Sequence, residues 1–188
     1  MTLAQDVTPN GEIDIQPLPT APAGISPDEL KAVFRDHPAG IAVVTADAGN
    51  GPVAMTASSV FSVSAAPPLI VFSASALSSS TPTLLTADTV VIHMIDTDSL
   101  DLAVLCATSG VDRFEDTARW TRLPTGEPVF HGVTRRVRAR VTSRLDAGSA
   151  TVIVVHALEA WHDPGHHSRP LVYHNRTWHT LSESSTLL

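Results

Sequence analysis

The stretch at residues 51–75, GPVAMTASSVFSVSAAPPLIVFSAS, constrains the fold and chemistry of this chain more than any other. Its small hydroxyl-rich patch, TASS at residues 56–59, lies between two apolar runs, and Pro67 and Pro68 interrupt the chain before the second run. Small side chains let backbone N–H groups approach a ligand closely, and hydroxyls add short donors and acceptors. The stretch therefore predicts either a solvated loop between strands or part of a site for a flat ligand with polar edges.

The composition restricts the class of protein. The chain has 188 residues, of which 43% are hydrophobic and 16% charged, so it favours one globular domain with a lightly charged surface. A net charge of −7 argues against a nucleic-acid partner. No apolar run approaches the ~20 residues that span a bilayer, and the N-terminus lacks the pattern of a signal peptide. We therefore expect a cytoplasmic protein without a membrane partner.

The order of apolar runs and turns predicts a mainly β fold. Runs rich in β-branched residues follow one another through hairpins instead of alternating with helices, which favours an antiparallel barrel with a few short helices. We expect a disordered or arm-like segment at residues 1–25, one domain at 26–182 and a tail at 183–188. The predicted strands cover residues 39–47, 52–56, 69–75, 89–95, 133–143, 150–160, 171–174 and 177–181.

Three short helices are predicted from their starts. Ser26, with Pro27 after it, is a capping hydroxyl with proline in the first turn. Ser80 and Thr81 before Pro82 repeat the pattern, and Asp98 and Ser99 begin a third helix. The free N–H groups at the start of the second helix suit a phosphate group, and this start follows a second hydroxyl-rich segment, SASALSSST at residues 73–81.

Several common chemistries are absent from the sequence. There is no GxSxG, no GxGxxG after a strand and no P-loop. Cys106 is the only cysteine, and we interpret it as a buried apolar residue within the third helix. The histidines of WHDPGHHS (His162, His166 and His167) lie in a loop rich in glycine and proline, so we interpret them as a surface loop and expect no metal site.

One strand carries an alternating basic face. Arg136, Arg138 and Arg140 alternate with small and apolar residues, which is typical of a half-buried strand. The arginines either steer an anionic cofactor or form a solvated or subunit-facing strand edge, and the second interpretation is favoured.

Five segments taken together resemble one family. They are HPAGIAVVTA at residues 37–46, GPVAMTASSVFSVSAAPPLIVFS at 51–73, SSST at 78–81, the pair Arg113-Phe114, and PLVYHNRTWHTL at 170–181. Their order resembles the flavin reductase-like, FMN-binding split-barrel family, which includes the short-chain flavin reductases that supply two-component monooxygenases. The resemblance covers residues 27–181.

The resemblance implies a homodimer of antiparallel six-stranded split β-barrels that binds FMN or FAD. By the family's mechanism, NADH or NADPH stacks on the flavin and passes it a hydride, so no side chain is expected to form a covalent bond and no catalytic residue is assigned. A flavin-dependent monooxygenase is the implied partner.

The resemblance also implies the residues that bind the flavin. The segment 56–59 would contact the ring and ribityl chain, four later hydroxyls would follow the ribityl–phosphate side, and an Arg-Phe pair would lie near the phosphate or adenylate. These ten residues are Thr56, Ala57, Ser58, Ser59, Ser73, Ser75, Ser80, Thr81, Arg113 and Phe114.

One departure from the family pattern leaves alternatives open. Reductases of this type usually carry Gly-Asp-His before the penultimate long strand, whereas residues 146–149 here read Asp-Ala-Gly-Ser. Ser149, Tyr173 and His174 are the candidates for the nicotinamide side. The alternative functions are a flavin-binding protein with altered or lost reductase activity, and a barrel that holds haem through His93 or a C-terminal histidine.

Overall fold

As a computed structural model, the protein is described over residues 24–187, so most of the predicted N-terminal arm lies outside the described residues. The chain divides after Phe34 into two compact units. Helix α1 (Pro27–Arg35) has no buried residue. Its predicted start is confirmed, because the Glu29 N–H donates to Ser26 Oγ (3.2 Å) and the Ser26 N–H donates back to Glu29 Oε2 (2.8 Å).

The larger unit is built mainly from strands, as predicted. Its strands within the described residues are β1 (Ala39–Gly40), β2 (Ala42–Asp47), β3 (Pro52–Ala57), β4 (Phe61–Ala65), β5 (Pro68–Ser75), β6 (Thr89–Met94), β7 (Trp120–Arg122), β8 (Pro128–Phe130), β9 (Arg136–Ala147), β10 (Ala150–Trp161), β11 (Leu171–His174) and β12 (Thr177–Thr180). Two helices join them, α2 (Thr81–Leu84) and α3 (Leu100–Ala107), and Glu183–Ser185 forms a 3₁₀ turn in the predicted tail.

Seven strands form one antiparallel sheet in the order β3-β2-β6-β9-β10-β5-β4. The fold class is as expected, but the implied six-stranded split barrel is not: the main sheet has seven strands and is not closed. It includes β4, whose serine-rich sequence was not predicted as a strand. Just after the edge strand β3, the side chain of Ser59 and not strand pairing makes the connection to β5. Ser59 Oγ accepts from the Ser73 N–H (3.0 Å) and donates to the Ser73 carbonyl (3.4 Å), so the segment that follows β3 is linked to β5.

Strand β2 is buried on both faces and separates two hydrophobic clusters. On one face, Ala42 and Val44 pack with residues of β5, β6 and β10 and with α2. On the other face, Ile41 and Val43 pack with α3 and with the aromatic residues that follow it. Because burial of each large aliphatic side chain contributes about 1.5–3 kcal/mol, the two faces together hold β2 at the centre of the unit.

The longest hairpin is formed by β9 and β10, each of 12 residues. The predicted alternation is confirmed where Ala139 is buried and Arg138 faces the other side, although the strand begins at Arg136 and not at residue 133. Arg138 is neutralised: Nε donates to Glu127 (2.7 Å) and Nη1 donates to Glu159 (2.9 Å). Because β9 lies between β6 and β10, this part of the basic face is a partly buried ion-pair network and not a strand edge.

Two smaller sheets complete the unit. Strands β1, β11 and β12 form one, and β7 and β8 form the other. The predicted C-terminal hairpin is confirmed: its turn residues, Asn175 and Arg176, have φ angles of 46° and 61°, as a tight two-residue hairpin requires.

Candidate functional site

A cleft of ≈ 450 Å³ opens beside the gap between β3 and β5. Three segments line it: the end of β3 with the residues after it, the end of β5 with the following loop, and the C-terminus of α3 with its loop. The lining residues are Met55, Thr56, Ala57, Ser58, Ser59, Ser73, Ser75, Leu77, Ser78, Ser79, Cys106, Ala107, Ser109, Gly110, Arg113 and Ala150. Seven of the ten predicted flavin-contacting residues thus surround one cavity, although their separation in sequence reaches from 56 to 113.

The first wall is held by hydroxyl groups. Thr56 Oγ1 donates to the Ala103 carbonyl (2.7 Å) and so ties β3 to α3. Ser59 is fixed against Ser73 as described above. Ser58, between them, is exposed at the cleft. The small side chains therefore keep the wall rigid and leave the cavity unfilled.

The second wall depends on the turn between β9 and β10. Residues 148 and 149 form this turn, and Gly148 has a φ of 68°, which glycine adopts readily. The Ser149 carbonyl accepts from the Ala76 N–H (2.9 Å), and Ala150 pairs with Ser75. The turn that lacks the family histidine therefore braces the loop that lines the cleft.

Ser80 and Thr81 face the interior and do not line the cleft. Ser80 Oγ donates to the Ala54 carbonyl (2.7 Å), and Thr81 Oγ1 donates to the Ser75 carbonyl (2.6 Å). The predicted cap is wrong, since the Ser80 side chain makes no capping bond and α2 is only four residues long. So short a helix provides no phosphate site, and these hydroxyls instead secure the loop from behind.

The Arg-Phe pair is divided between the cleft and the core. The Arg113 guanidinium lines the cleft and donates to the carbonyls of Cys106 (Nε, 3.2 Å) and Thr108 (Nη2, 2.8 Å), and to Ser79 Oγ (Nη1, 3.4 Å). A cation at the C-terminus of α3 is favoured by the helix dipole. Phe114 is only 8% exposed and stacks on Phe130 at 5.1 Å between ring centroids, so it supports the core.

Cys106 is buried, as interpreted, although it also borders the cleft. Burial raises the pKa of its thiol to about 12. The thiol stays protonated at physiological pH and is not a nucleophile.

His93 is fully buried and uses both ring nitrogens. Nδ1 lies 3.1 Å from the Val43 carbonyl, to which it donates, and Nε2 accepts from the Phe130 N–H (3.2 Å). Burial lowers the pKa of the ring to about 4, so the neutral form is retained at physiological pH. His93 has no free nitrogen for iron, which removes the internal ligand of the haem alternative.

None of the three nicotinamide-side candidates is among the residues that line the cleft. Tyr173 packs against Trp178 with ring centroids 4.8 Å apart, in the sheet of β1, β11 and β12. His174 Nε2 lies 3.8 Å from Asp36 Oδ1. Ser149 is the candidate whose backbone bonds to the cleft loop.

The histidine-rich loop is partly anchored. His162 and His167 are exposed, as expected of a surface loop. His166, however, lies 3.1 Å from Asp96 and 3.7 Å from Asp98, and ligand atoms of these three residues fall within 4.8 Å of one another. Asp96 also accepts from Ser168. Burial raises the pKa of Asp96, but the bonds from Ser168 and His166 outweigh it and leave the pKa lowered. Sequence spacing did not reveal this anchor because Asp96 is distant in the chain.

Sequence reasoning also missed part of the cleft lining. Ser109 and Gly110 follow Thr108 at the C-terminus of α3, and Gly110 has a φ of 77°, which is typical of a chain that turns sharply after a helix. The Ser-Gly pair after the predicted helix was the available signal.

Comparison with known proteins gives the family. The flavin reductase like domain matches residues 34–182, and the chain therefore belongs to that family. An NADH:FMN oxidoreductase of Rhodococcus qingshengii is 38% identical over 163 residues, which cover 86% of this chain and 85% of the relative.

Two solved structures show the same fold. A flavin reductase domain protein from Arthrobacter sp. FB24 superposes with a TM-score of 0.77 at 30% identity, covering 82% of this chain and 95% of that one. BorF, the flavin reductase component of a bacterial two-component tryptophan halogenase, gives 0.73 at 28% identity, with coverage of 84% and 99%. Within residues 24–187, no helix is long and apolar enough to cross a membrane.

Proposed function

We propose that this protein is an NAD(P)H:flavin oxidoreductase that transfers a hydride to FMN or FAD in the cleft. The observation that carries the proposal is the convergence of small hydroxyl residues and one guanidinium on a single cavity of ≈ 450 Å³. The matching relative, an NADH:FMN oxidoreductase, supports the same reaction.

The chemistry of the cleft fits a flavin nucleotide. Met55, Ala107 and Ala150 offer apolar contact for a flat ring, while Ser58 and Ser78 offer hydroxyls for a polar edge and chain. Arg113 is the charged residue among the described residues lining the cleft, and it suits the phosphate. When bound, the flavin supplies the ring that accepts the hydride from NAD(P)H.

The role of the chain's own residues is to bind and orient. Thr56 and Ser59 fix the first wall, and Ser80 and Thr81 fix the second wall from the interior. The Cys106 thiol stays protonated and takes no part in proton transfer. Orientation of two rings is sufficient for hydride transfer, because held geometry replaces the entropy cost of an encounter.

Ser80, Thr81 and Phe114 are proposed to act on the flavin indirectly, through the walls they support. Ser149 is proposed for the nicotinamide side because its turn contacts the cleft loop. Tyr173 and His174 remain predictions for the nicotinamide side. Both lie in the sheet of β1, β11 and β12 and outside the cleft lining.

The assembly and setting are also proposed. A homodimer in which split barrels pair is supported by exposed apolar side chains on the edge strand β4, where Phe61 is 58% and Val63 is 54% exposed. A flavin-dependent monooxygenase partner is supported by BorF, which serves a two-component halogenase. We also propose that the protein is cytoplasmic and that residues 26–182 form its flavin reductase domain.

A second candidate is a flavin-binding protein with altered or lost reductase activity. The observation that favours it is Ser149, which stands in the turn where the family pattern of the sequence resemblance has Gly-Asp-His. Such a protein would retain its flavin through gel filtration and would not oxidise NADH or NADPH.

One titration tests the two candidates. The purified protein is titrated with FMN and FAD, and oxidation of NADH and NADPH is then followed at saturating flavin. Turnover with either nucleotide is expected. Flavin binding without turnover would replace the proposal with the second candidate, and absence of flavin binding would contradict both.

A further inference from the structure

A second cavity, of ≈ 480 Å³, lies at the other end of the β9–β10 hairpin. Its lining comprises Gly132, Val133, Thr134, Arg136, Ala160, Trp161, His162 and Asp163, none of which lines the cleft. Strand β10 has Ala150 at the cleft and Trp161 at this cavity, and its 12 residues separate the two by roughly 30 Å. The second cavity is therefore a separate feature of the molecule.

The cavity contains a cation without a carboxylate partner. Arg136 makes a long bond from Nη1 to the Val133 carbonyl (3.4 Å), and no ion pair joins it to a carboxylate within the described residues. Arg138, two residues along the same strand face, is by contrast paired with both Glu127 and Glu159. Unpaired, half-buried guanidinium groups are uncommon because their desolvation is costly.

Two polar atoms on this side of the molecule lack hydrogen-bond partners. Arg136 Nε and Thr134 Oγ1 are both buried, and they are the buried side-chain atoms found without a partner among the described residues. Buried donors and acceptors are nearly always satisfied, so a pair of unsatisfied ones in two residues that line the same cavity points to a missing group. An oxyanion would accept from the guanidinium and from the hydroxyl together.

The size and walls of the cavity indicate more than a bare ion. The Arg136 guanidinium carbon lies 5.2 Å from the centroid of the Trp161 ring, which forms a flat apolar wall. A volume of ≈ 480 Å³ falls within the range of about 300–1,000 Å³ typical of sites for small organic ligands. Asp163 also lines the cavity, but its Oδ1 accepts from the Gly165 N–H (2.8 Å) within its own loop.

We propose that this cavity binds a small organic carboxylate, whose carboxylate pairs with Arg136 and Thr134 and whose flat body lies against Trp161. The proposal is independent of the flavin site, since it uses none of the cleft residues. Asp163 disfavours highly charged anions, so a monoanion is the expected ligand.

The test is a titration of the full-length, ¹⁵N-labelled protein with benzoate, followed by NMR. The Arg136 Nε–H and Trp161 indole resonances are assigned by their loss in the variants Arg136→Met and Trp161→Phe. Saturable shifts of both resonances are expected, with an affinity on the order of millimolar or tighter. Absence of saturable shifts, or shifts confined to the cleft residues, would overturn the proposal.

Matched variants and ligands separate the parts of the proposal. Arg136→Met is expected to weaken benzoate at least tenfold, whereas Arg140→Met, an exposed arginine on the same strand, is expected to have no effect. Thr134→Val is a second, milder variant and is expected to weaken benzoate binding about threefold. It serves as the test if Arg136→Met does not fold. If neutral benzamide binds as tightly as benzoate, the cavity is not an anion site. If acetate or inorganic phosphate binds as tightly as benzoate, Trp161 does not contribute a contact to the flat part of the ligand.

Discussion

The cleft surface and the interior directly behind it use the same residue types for different purposes. At the surface, Ser58 and Ser79 are exposed and available to a ligand. Behind it, Ser80 is 1% exposed, and its hydroxyl donates to the Ala54 carbonyl. The comparison teaches that hydroxyls in one short segment divide into ligand-binding and structural groups according to the direction in which the backbone presents them.

The largest expected effect comes from filling the cleft. Ser58→Trp places a large ring in the cavity from an exposed position, so we expect FMN affinity to fall by roughly 1,000-fold or more while the melting temperature changes little. Ser184→Trp, at another exposed serine, is the matched control. Unchanged FMN affinity in Ser58→Trp, measured by fluorescence quenching, would show that the flavin binds elsewhere.

The next effect is the acid sensitivity of the interior. The pKa of His93 falls from 6.5 to about 4 on folding, so the unfolded chain binds the proton more tightly. Its contribution to stability is complete above pH 6.5 and is lost as the pH falls towards 4, by about 3 kcal/mol in total. We expect urea unfolding to show this loss between pH 6.5 and 4.5.

Replacing the ring isolates that contribution. His93→Gln should be less stable at pH 7, yet its stability should decline less between pH 6.5 and 4.5, whereas the exposed His167→Gln should follow the parent protein. Parallel pH profiles of the parent protein and His93→Gln would contradict the assignment of the acid sensitivity to His93.

A smaller effect distinguishes neighbouring serines. Ser80→Ala removes the hydrogen bond to the buried Ala54 carbonyl and is expected to cost about 1–2 kcal/mol of unfolding free energy, with FMN affinity largely preserved. Ser79→Ala should show the opposite pattern: little loss of stability but weaker FMN binding. If both variants lose stability equally, the contrast between surface and interior does not hold at this loop.

The smallest effect concerns the turn that lacks histidine. We expect Ser149→His to raise kcat/KM for NADH about threefold, because an imidazole at this position could contact the nicotinamide. Ser149→Leu, of comparable size without a hydrogen-bonding group, is the control. A larger increase, from no turnover to turnover, would instead favour the flavin-binding protein that has lost reductase activity.

Local patterns were sufficient for much of the fold. The capping box at Ser26, the alternation along β9 and the Asn175-Arg176 turn depend on neighbouring residues, so their structure could be predicted from the sequence. Strand β4 was not predicted because its serines weaken the apolar pattern. It is a strand because it pairs with β5 in a hairpin.

By itself, the sequence determined the mainly β class, the family and the segments that approach the cleft, because small hydroxyl residues and hairpin spacing are local properties. Only the tertiary structure decided which hydroxyls face the cavity, and that Arg113 faces the cleft while Phe114 joins the core. It also decided that Arg136 has no carboxylate partner within residues 24–187, whereas Arg138 has two. These outcomes depend on partners tens of residues away, such as Ala54 for Ser80 and Glu127 for Arg138, and side-chain direction is fixed only when those partners are in place.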